Sequence, residues 1–114
     1  MAELTRNGRA RVVVTGMGAM TPLGESVAEF WDGLVAGRSG IGPMRQADAT
    51  DYPCQISGEV SDFDPERYIE KRDARHMARF SQLAVAATYE AFRDAQIGEG
   101  SINGERMGVV LGNG

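Results

Sequence analysis

Two short runs of apolar residues near the ends of the chain constrain its fold more than any other feature. The first run is Val12–Val14 and the second is Met107–Leu111. Both are too short for a helix, and neither alternates with polar residues as a strand with one wet face would. Strands that are apolar on both faces belong to parallel sheets that helices cover on both sides. The chain is therefore predicted to have an α/β fold.

Helices are predicted between these two strands. Ser26 and Glu29 form a capping box, apolar residues follow with helical spacing, and Gly37 is the predicted stop. Asp64-Pro65 predicts the start of a short helix. After this short helix, a long helix is predicted from about residue 73 to residue 95. Its inner stripe consists of Met77, Phe80, Ala84, Ala87 and Ala91, and its small residues allow close packing.

A further strand is predicted where apolar and polar residues alternate. Cys54, Ile56, Gly58 and Val60 would face the interior, because alternate side chains of a strand point to the same face. Cys54 lies on that face, so it is interpreted as a buried structural residue. A nucleophilic cysteine would need a neighbouring base or a helix N-terminus to lower its pKa.

Composition and charge exclude several classes of function. The chain has 114 residues, of which 42% are hydrophobic and 25% charged, as in ordinary globular domains. Its net charge of −4 argues against general nucleic-acid binding. One cysteine and one histidine allow neither an internal disulfide nor a Cys/His metal cluster, so no metal site is predicted. We see no signal peptide and no apolar run long enough to span a membrane, and we expect a cytoplasmic protein.

The segment Gly16-Met17-Gly18 invites comparison with a dinucleotide-binding loop, because it follows a predicted strand. The full G-x-G-x-x-G pattern has a third glycine where this chain has Thr21. The next helix begins only near Ser26, so its N-terminus cannot lie directly on a pyrophosphate. The segment is interpreted as a tight structural loop, and no cofactor is predicted.

Positive charge is concentrated near the start of the predicted long helix. Arg72, Arg75, His76 and Arg79 are spaced i, i+3, i+4 and i+7, so they would share one helix face. Cations near a helix N-terminus are unfavourable by roughly 0.3–1 kcal/mol each. Such a cost in an acidic chain suggests a use for the charge, although the spacing alone favours the alternative given next. The alternative is an ordinary solvated face that neighbouring acidic residues balance.

Five segments form a set that is more specific than any one of them. They are residues 11–18 (RVVVTGMG), 21–24 (TPLG), 30–41 (FWDGLVAGRSGI), 62–65 (DFDP) and 108–114 (GVVLGNG), with Ile69, Arg75, Met77 and Phe80. Together they resemble the condensing enzymes of fatty-acid synthesis, and in particular the beta-ketoacyl-[acyl-carrier-protein] synthases II. The resemblance covers nearly all of the chain from residue 11.

The resemblance implies a fold and an assembly. The fold is thiolase-like, with two related α/β halves stacked in αβαβα layers. The chain would be part of the N-terminal half and incomplete by itself. Residues 11–114 would be the N-terminal part of the beta-ketoacyl synthase N-terminal domain, and residues 1–10 a disordered or frayed terminus. The whole enzyme would be a homodimer.

The resemblance also implies an activity and a partner. The family is a Cys-His-His acyltransferase that condenses an acyl thioester with malonyl-carrier protein. Neither Cys54 nor His76 matches one of those positions, so we expect no catalytic residue in this chain and no activity from the chain alone. In the family, basic residues at the start of this helix contact the acidic acyl carrier protein. They match Arg72, Arg75 and His76, and the charge of His76 would depend on pH.

Other members of the same superfamily remain open as alternatives. A synthase I and an aromatic polyketide ketosynthase begin with similar sequences. A non-catalytic paralogue that binds only a carrier protein or a partner subunit, such as a chain-length factor, would also carry these segments.

Overall fold

The structure, a computed structural model, describes residues 5–112. Its first element is an antiparallel hairpin of β1 (Thr5–Arg6) and β2 (Arg9–Ala10). Asn7 and Gly8 connect the strands with φ angles of 53° and 74°, which is typical of a two-residue hairpin turn. Residues 5–10, predicted as part of a disordered or frayed terminus, form this hairpin. Residues 1–4 of that prediction lie outside the described residues.

The first helix begins and ends where the sequence predicts. It is α1, Val27–Val35. The Ser26 hydroxyl accepts a hydrogen bond from the Glu29 N–H at 3.2 Å, and the Glu29 carboxylate accepts one from the Glu25 N–H at 2.8 Å. The predicted capping box therefore forms, with its second bond one residue earlier than usual. Gly37 follows the helix with a φ of 66°, as expected of a glycine stop.

The two apolar runs are not strands in the structure, and this part of the prediction is wrong for the described residues. No ladder includes residues 12–14 or residues 107–111. Val12 is 91% exposed and Val110 is 99% exposed. A strand requires hydrogen bonds to a neighbouring strand, and residues 5–112 provide none to either run. The helices of the α/β pattern are present without its central parallel sheet.

A second hairpin pairs β3 (Ile41–Pro43) with β4 (Ile56–Gly58) in antiparallel register. β4 is shorter than the strand predicted over residues 54–60. The predicted buried face is also wrong here, because Cys54 is exposed and Ile56 is 58% exposed. Ser57, on the opposite face, is half-buried. The predicted inner face is covered only in part: Val60 is half-buried and Pro22 lies close to Gly58, whereas Cys54 and Ile56 are exposed.

The predicted long helix is divided into two. α2 spans Lys71–Ala74 and α3 spans Arg79–Asp94. Between them Ala78 has an extended backbone, with a ψ of 152°. The prediction of one continuous helix is therefore wrong, and so is the prediction that four basic residues share its face. The helical spacing of apolar residues continues across Ala78. Such spacing cannot reveal that one residue has an extended ψ angle, so the sequence pattern did not show the break.

Short 3-10 helices lie at Pro65–Arg67 and Gly104–Arg106. The first confirms the start signal read from Asp64-Pro65, since the Asp64 carboxylate accepts a hydrogen bond from the Glu66 N–H at 3.0 Å. It leads directly into the segment that carries α2.

The loop before α1 packs backbone to backbone against α3. A Cβ atom at Gly16 would overlap Ala91 and Ala95, and one at Gly18 would overlap the Ala87 carbonyl. Only glycine, which has no Cβ atom, allows this approach at the two loop positions. The interpretation of Gly16-Met17-Gly18 as a structural loop is confirmed. The small residues of the long helix were expected to pack on a sheet or another helix, and in the described residues Ala87 and Ala91 instead pack against this loop.

Two carboxylates of α3 fasten the same loop. Glu90 accepts hydrogen bonds from the Ala19 N–H and the Val27 N–H, both at 2.8 Å. Asp94 accepts one from the Met17 N–H at 3.0 Å. Because Val27 is the first residue of α1, its N–H has no partner within the helix, and the helix dipole favours an anion there. α3, the loop and α1 are thus joined through side chains far apart in sequence.

The buried apolar core of the described residues is small. It consists of Phe63, Ala74 and Ala86. Beside it Tyr68 stacks on Phe63 with ring centroids 6.0 Å apart and meets Tyr89 edge-on at 5.8 Å. The radius of gyration is 18.1 Å, against about 13 Å for a compact domain of this length. Residues 5–112 therefore do not close around one core.

Candidate functional site

The three residues predicted to bind a partner lie together around the end of α2. Arg72 is inside α2, Arg75 is its C-cap, and His76 is in the turn that follows. The His76 N–H donates to the Asp73 carbonyl at 3.0 Å, so the chain continues to turn through this position. All three side chains are exposed. We refer to Arg72, Arg75 and His76 as the α2 basic surface.

Neighbouring carboxylates balance only part of this charge. Arg72 contacts Asp73 at 3.5 Å, but the two side chains are 82% and 57% exposed, and such pairs contribute little. Lys71 pairs with Glu66 at 3.2 Å. Within residues 5–112, Arg75 and His76 form no ion pair. The surface is therefore an accessible cluster of positive charge on a chain whose net charge is −4.

Arg79 does not belong to this surface, although its spacing placed it there. Its guanidinium donates to the carbonyls of Val60 at 2.8 Å and Phe63 at 3.2 Å. It also lies 4.8 Å from the centroid of the Phe63 ring. Arg79 therefore ties the start of α3 to residues 60–63, and this role corrects the predicted four-residue face.

Gln82 spans the bend between α2 and α3. Its side-chain amide donates to the Ala74 carbonyl at 2.8 Å and the Met77 carbonyl at 3.3 Å. Ala74 is the last residue of α2, where carbonyl groups have no partner within the helix. Sequence reasoning missed this residue, since a glutamine inside a helical pattern gives no sign of distant contacts. The same applies to Glu90, whose partners lie 71 and 63 residues away.

A cleft of about 390 Å³ lies between residues 21–25, β3 and residues 57–62. Glu59 lines it and accepts hydrogen bonds from the N–H groups of Arg45 and Gln46 and from the Ser57 hydroxyl at 2.9 Å. Desolvation raises the pKa of Glu59, but hydrogen bonds from Gln46, Ser57 and Arg45 outweigh it and hold that pKa below its usual value. The carboxylate is committed to holding the loop, which argues against a role as an acid catalyst.

A second cleft, of about 540 Å³, lies beside α3. Its polar lining includes Glu90 and Asp94, whose carboxylates already accept backbone hydrogen bonds, and Arg67, which pairs with Glu25 at 2.9 Å. These groups fasten elements to one another. Each of these charged groups already has a hydrogen-bond or ion-pair partner, which argues against a role as a catalytic acid or base.

The described surroundings of Cys54 do not provide the base that a nucleophilic cysteine needs. Its thiol lies 3.6 Å from the Ile56 carbonyl, and no hydrogen bond in the described residues joins it to a base. Residues 5–112 contain no group of three or more side chains that would hold a metal ion. No helix in the same range has the length and apolar character needed to cross a bilayer.

The loop that contains Gly16 and Gly18 (the glycine loop), α1 and α3 together define a fold that is found in a known condensing enzyme. A solved structure, the ishigamide ketosynthase/chain length factor, superposes on 76% of this chain with a TM-score of 0.70 and 39% sequence identity. The match covers 22% of that chain. The predicted fold class is confirmed: the chain is part of the N-terminal half of a thiolase-like α/β fold.

Residues 9–114 match the family model described as the beta-ketoacyl synthase N-terminal domain. The chain therefore belongs to the beta-ketoacyl synthase family, as the resemblance of its five segments implied.

Curated relatives agree with this assignment. The chain is 42% identical over all of its 114 residues to the 3-oxoacyl-[acyl-carrier-protein] synthase 2 of Synechocystis sp., of which it covers 27%. It is 38% identical to the protein of the same name from Coxiella burnetii, with 93% of this chain and 26% of the relative aligned. The chain thus spans about a quarter of the length of the relatives it matches.

Proposed function

We propose that the chain is the N-terminal segment of a 3-oxoacyl-[acyl-carrier-protein] synthase 2. Such an enzyme elongates acyl chains in fatty-acid biosynthesis by decarboxylative Claisen condensation with malonyl-carrier protein. The observation that carries the proposal is the 38–42% identity to relatives of that name over 93–100% of this chain. The test is elongation of an acyl-carrier protein by the full-length enzyme, followed by mass spectrometry of the product.

The catalytic groups of this reaction are proposed to lie outside the chain. The family's cysteine takes the acyl group as a thioester, malonyl-carrier protein loses CO₂, and the resulting carbanion attacks the thioester carbonyl and expels the cysteine. The two histidines assist decarboxylation and stabilise the developing negative charge. Cys54 and His76 have no part in these steps, and the 114-residue chain is proposed to be inactive alone. Condensation by the isolated chain would contradict this proposal.

The α2 basic surface is proposed to dock the acyl carrier protein. Two observations support the proposal: its side chains are exposed, and Arg75 and His76 form no ion pair within residues 5–112. The family resemblance further implies that these positions contact the carrier. Carrier proteins of this pathway are acidic, so opposite charge would steer the encounter and salt would weaken it. The surface would contact the carrier protein equally when the substrate is bound and in the transition state, so it would affect KM rather than kcat.

Charge reversal tests the docking proposal. In the full-length enzyme, Arg72→Glu with Arg75→Glu is expected to raise KM for carrier-bound substrate about 10-fold or more at low salt, because two attractions become repulsions. The value of kcat, and turnover of a small acyl thioester, should change little, because uniform binding affects KM alone. Steady-state kinetics on both substrates at low and high salt measure the difference.

Arg9→Glu with Arg106→Glu is the matched control, since it makes the same charge change at two other exposed arginines. It should leave KM for the carrier-bound substrate near the wild-type value. Equal losses on carrier-bound and small substrates in the double variant would show that the surface is structural.

A second candidate function is a ketosynthase or chain-length factor of another biosynthetic system. The superposition on the ishigamide ketosynthase/chain length factor favours it. The two alternatives differ in the full-length protein: a chain-length factor would lack the nucleophilic cysteine and would not form an acyl-enzyme. Incubation with acyl-carrier protein and intact-mass measurement identifies a chain-length factor, and mass spectrometry of the elongated product distinguishes a ketosynthase of another pathway from a fatty-acid synthase.

Assembly and location are proposed from the same family membership. The full-length enzyme is proposed to be a cytoplasmic homodimer. Light scattering coupled to gel filtration measures the mass in solution, and cell fractionation reports the location. A monomer, or recovery in the membrane fraction, would contradict these proposals.

A further inference from the structure

We propose that Gln82 is a positioning residue for the α2 basic surface, an inference that rests on the docking function proposed above. Gln82 itself lies on α3 and is half-buried. It acts through the end of α2, where its amide donates to the carbonyls of Ala74 and Met77. Arg75 and His76, two of the three docking residues, lie between those two carbonyls in the chain.

α2 cannot hold this arrangement by its own stability. It has four residues, and isolated helices shorter than about 12 residues are marginal in water. Its N-cap, Glu70, makes no side-chain capping hydrogen bond. The Arg75 N–H reaches the Lys71 carbonyl only at 3.3 Å, a long bond for a helix. Contacts outside the helix must therefore determine where its charged side chains point.

Three contacts bear on α2 and the bend, and they differ in what they hold. Lys71 pairs with Glu66 at 3.2 Å through exposed side chains at the start of α2. Arg79 ties the start of α3 to the carbonyls of Val60 and Phe63, so it fixes the base of the bend. Among the side chains of residues 5–112, Gln82 is the one that donates across the bend to the end of α2. The Ala74 side chain there is buried at 5% exposure. Loss of the Gln82 amide would leave the Met77 carbonyl to water and the Ala74 carbonyl with only the Met77 N–H at 3.2 Å. The turn through residues 75–77 would then be held by its own backbone bonds alone, and would be less ordered.

Ordering of this turn has a direct consequence for binding. A docking surface that is already arranged binds without the entropic cost of ordering its side chains and backbone. Freeing the turn would reduce affinity for the acidic carrier without changing the charge of the surface. It would not affect a substrate that reaches the enzyme without a carrier.

The test uses the full-length enzyme with Gln82→Met, which keeps the length of the side chain and removes both donors. KM for acyl- or malonyl-carrier protein is expected to rise about 2- to 5-fold, the size of one or two weakened surface charge contacts. The kcat value and the kinetics on an acyl N-acetylcysteamine thioester should be unchanged. Gln55→Met, which removes a similar amide-to-carbonyl bond on the β3–β4 loop, is the matched control and should behave as wild type.

A double-mutant cycle shows whether Gln82 acts through the basic surface. In an Arg75→Glu background the carrier-specific effect of Gln82→Met should become smaller, since one of the two docking residues in the turn is no longer attractive and the two changes are coupled. Persistence of the full effect in that background would overturn the proposal. So would a wild-type KM in Gln82→Met, or equal changes for both substrates. If Arg75→Glu alone has no carrier-specific effect, the docking function itself fails, and this inference fails with it.

Two further measurements guard against a variant that does not fold. Gln82→Asn remains polar but is shorter by one methylene, so it should lose the Ala74 contact and show the same rise in KM. Amide hydrogen exchange at Arg75 and Met77 should be faster in either variant, while exchange in the middle of α3 stays as in wild type. Unchanged exchange at these two amides would also overturn the proposal.

Discussion

At the scale of single residues, Glu59 shows how one carboxylate organises a loop. It receives the N–H groups of Arg45 and Gln46 and the Ser57 hydroxyl, and its pKa is lowered because those bonds favour the charged form over the opposing effect of desolvation. A group with a lowered folded-state pKa stabilises above its unfolded pKa. That contribution is lost as pH falls through the folded-state pKa.

We therefore expect acid to loosen residues 45–46 selectively. Protection of the Arg45 and Gln46 amides from hydrogen exchange, corrected for intrinsic rates, should fall as pH drops below the ordinary range of a glutamate. Glu59→Gln should show the loss already at pH 7. The Met44 amide is the internal control, because it donates to the Gln55 carbonyl rather than to a carboxylate. Equal loss of protection at Met44 would contradict the prediction.

At the scale of elements, the backbone of the glycine loop packs directly against the backbone of α3. Gly18→Ala is expected to destabilise the protein by about 1–3 kcal/mol, because the new methyl group would overlap the Ala87 carbonyl and force the two elements apart. Thermal unfolding of the full-length enzyme measures the effect. Gly98→Ala places the same methyl group in open space and should have little effect, so similar losses in both variants would refute the packing argument.

Also at this scale, the candidate site was only partly predictable. Arg72, Arg75 and His76 were identified from charge and resemblance, and the structure places all three around the end of α2. Their supposed neighbour Arg79 was placed wrongly, because helical spacing assumes a continuous helix. Gln82 was missed, because its contacts depend on the bend at Ala78 that the spacing concealed.

At the scale of the whole molecule, many large apolar side chains are exposed to solvent. Val12 and Val110 belong to runs predicted as buried strands but are almost fully exposed, and Trp31 on α1 is 63% exposed. Exposed apolar strand segments promote association with other chains. The 114-residue chain expressed alone is therefore expected to aggregate or to form a loosely packed state without a sharp melt. Calorimetry and light scattering test this, and a cooperative transition of a monomer would count against it.

The sequence by itself determined the features that depend on neighbours within a few residues. The capping box at Ser26, the stop at Gly37 and the start at Asp64-Pro65 follow from hydrogen bonds spanning two to four positions. Family membership was also readable, because it depends on residue identities in order rather than on contacts.

Only the tertiary structure decided which side chains act at a distance. The bond from Arg79 to Val60 spans 19 residues and that from Glu90 to Ala19 spans 71, and no local pattern encodes such partners. Burial was undetermined for the same reason: alternation assigned Cys54 to a face, but a face is buried only where another element covers it. Local hydrogen bonds form between residues that the chain already holds together, whereas distant contacts and burial arise only when packing brings separate segments into place.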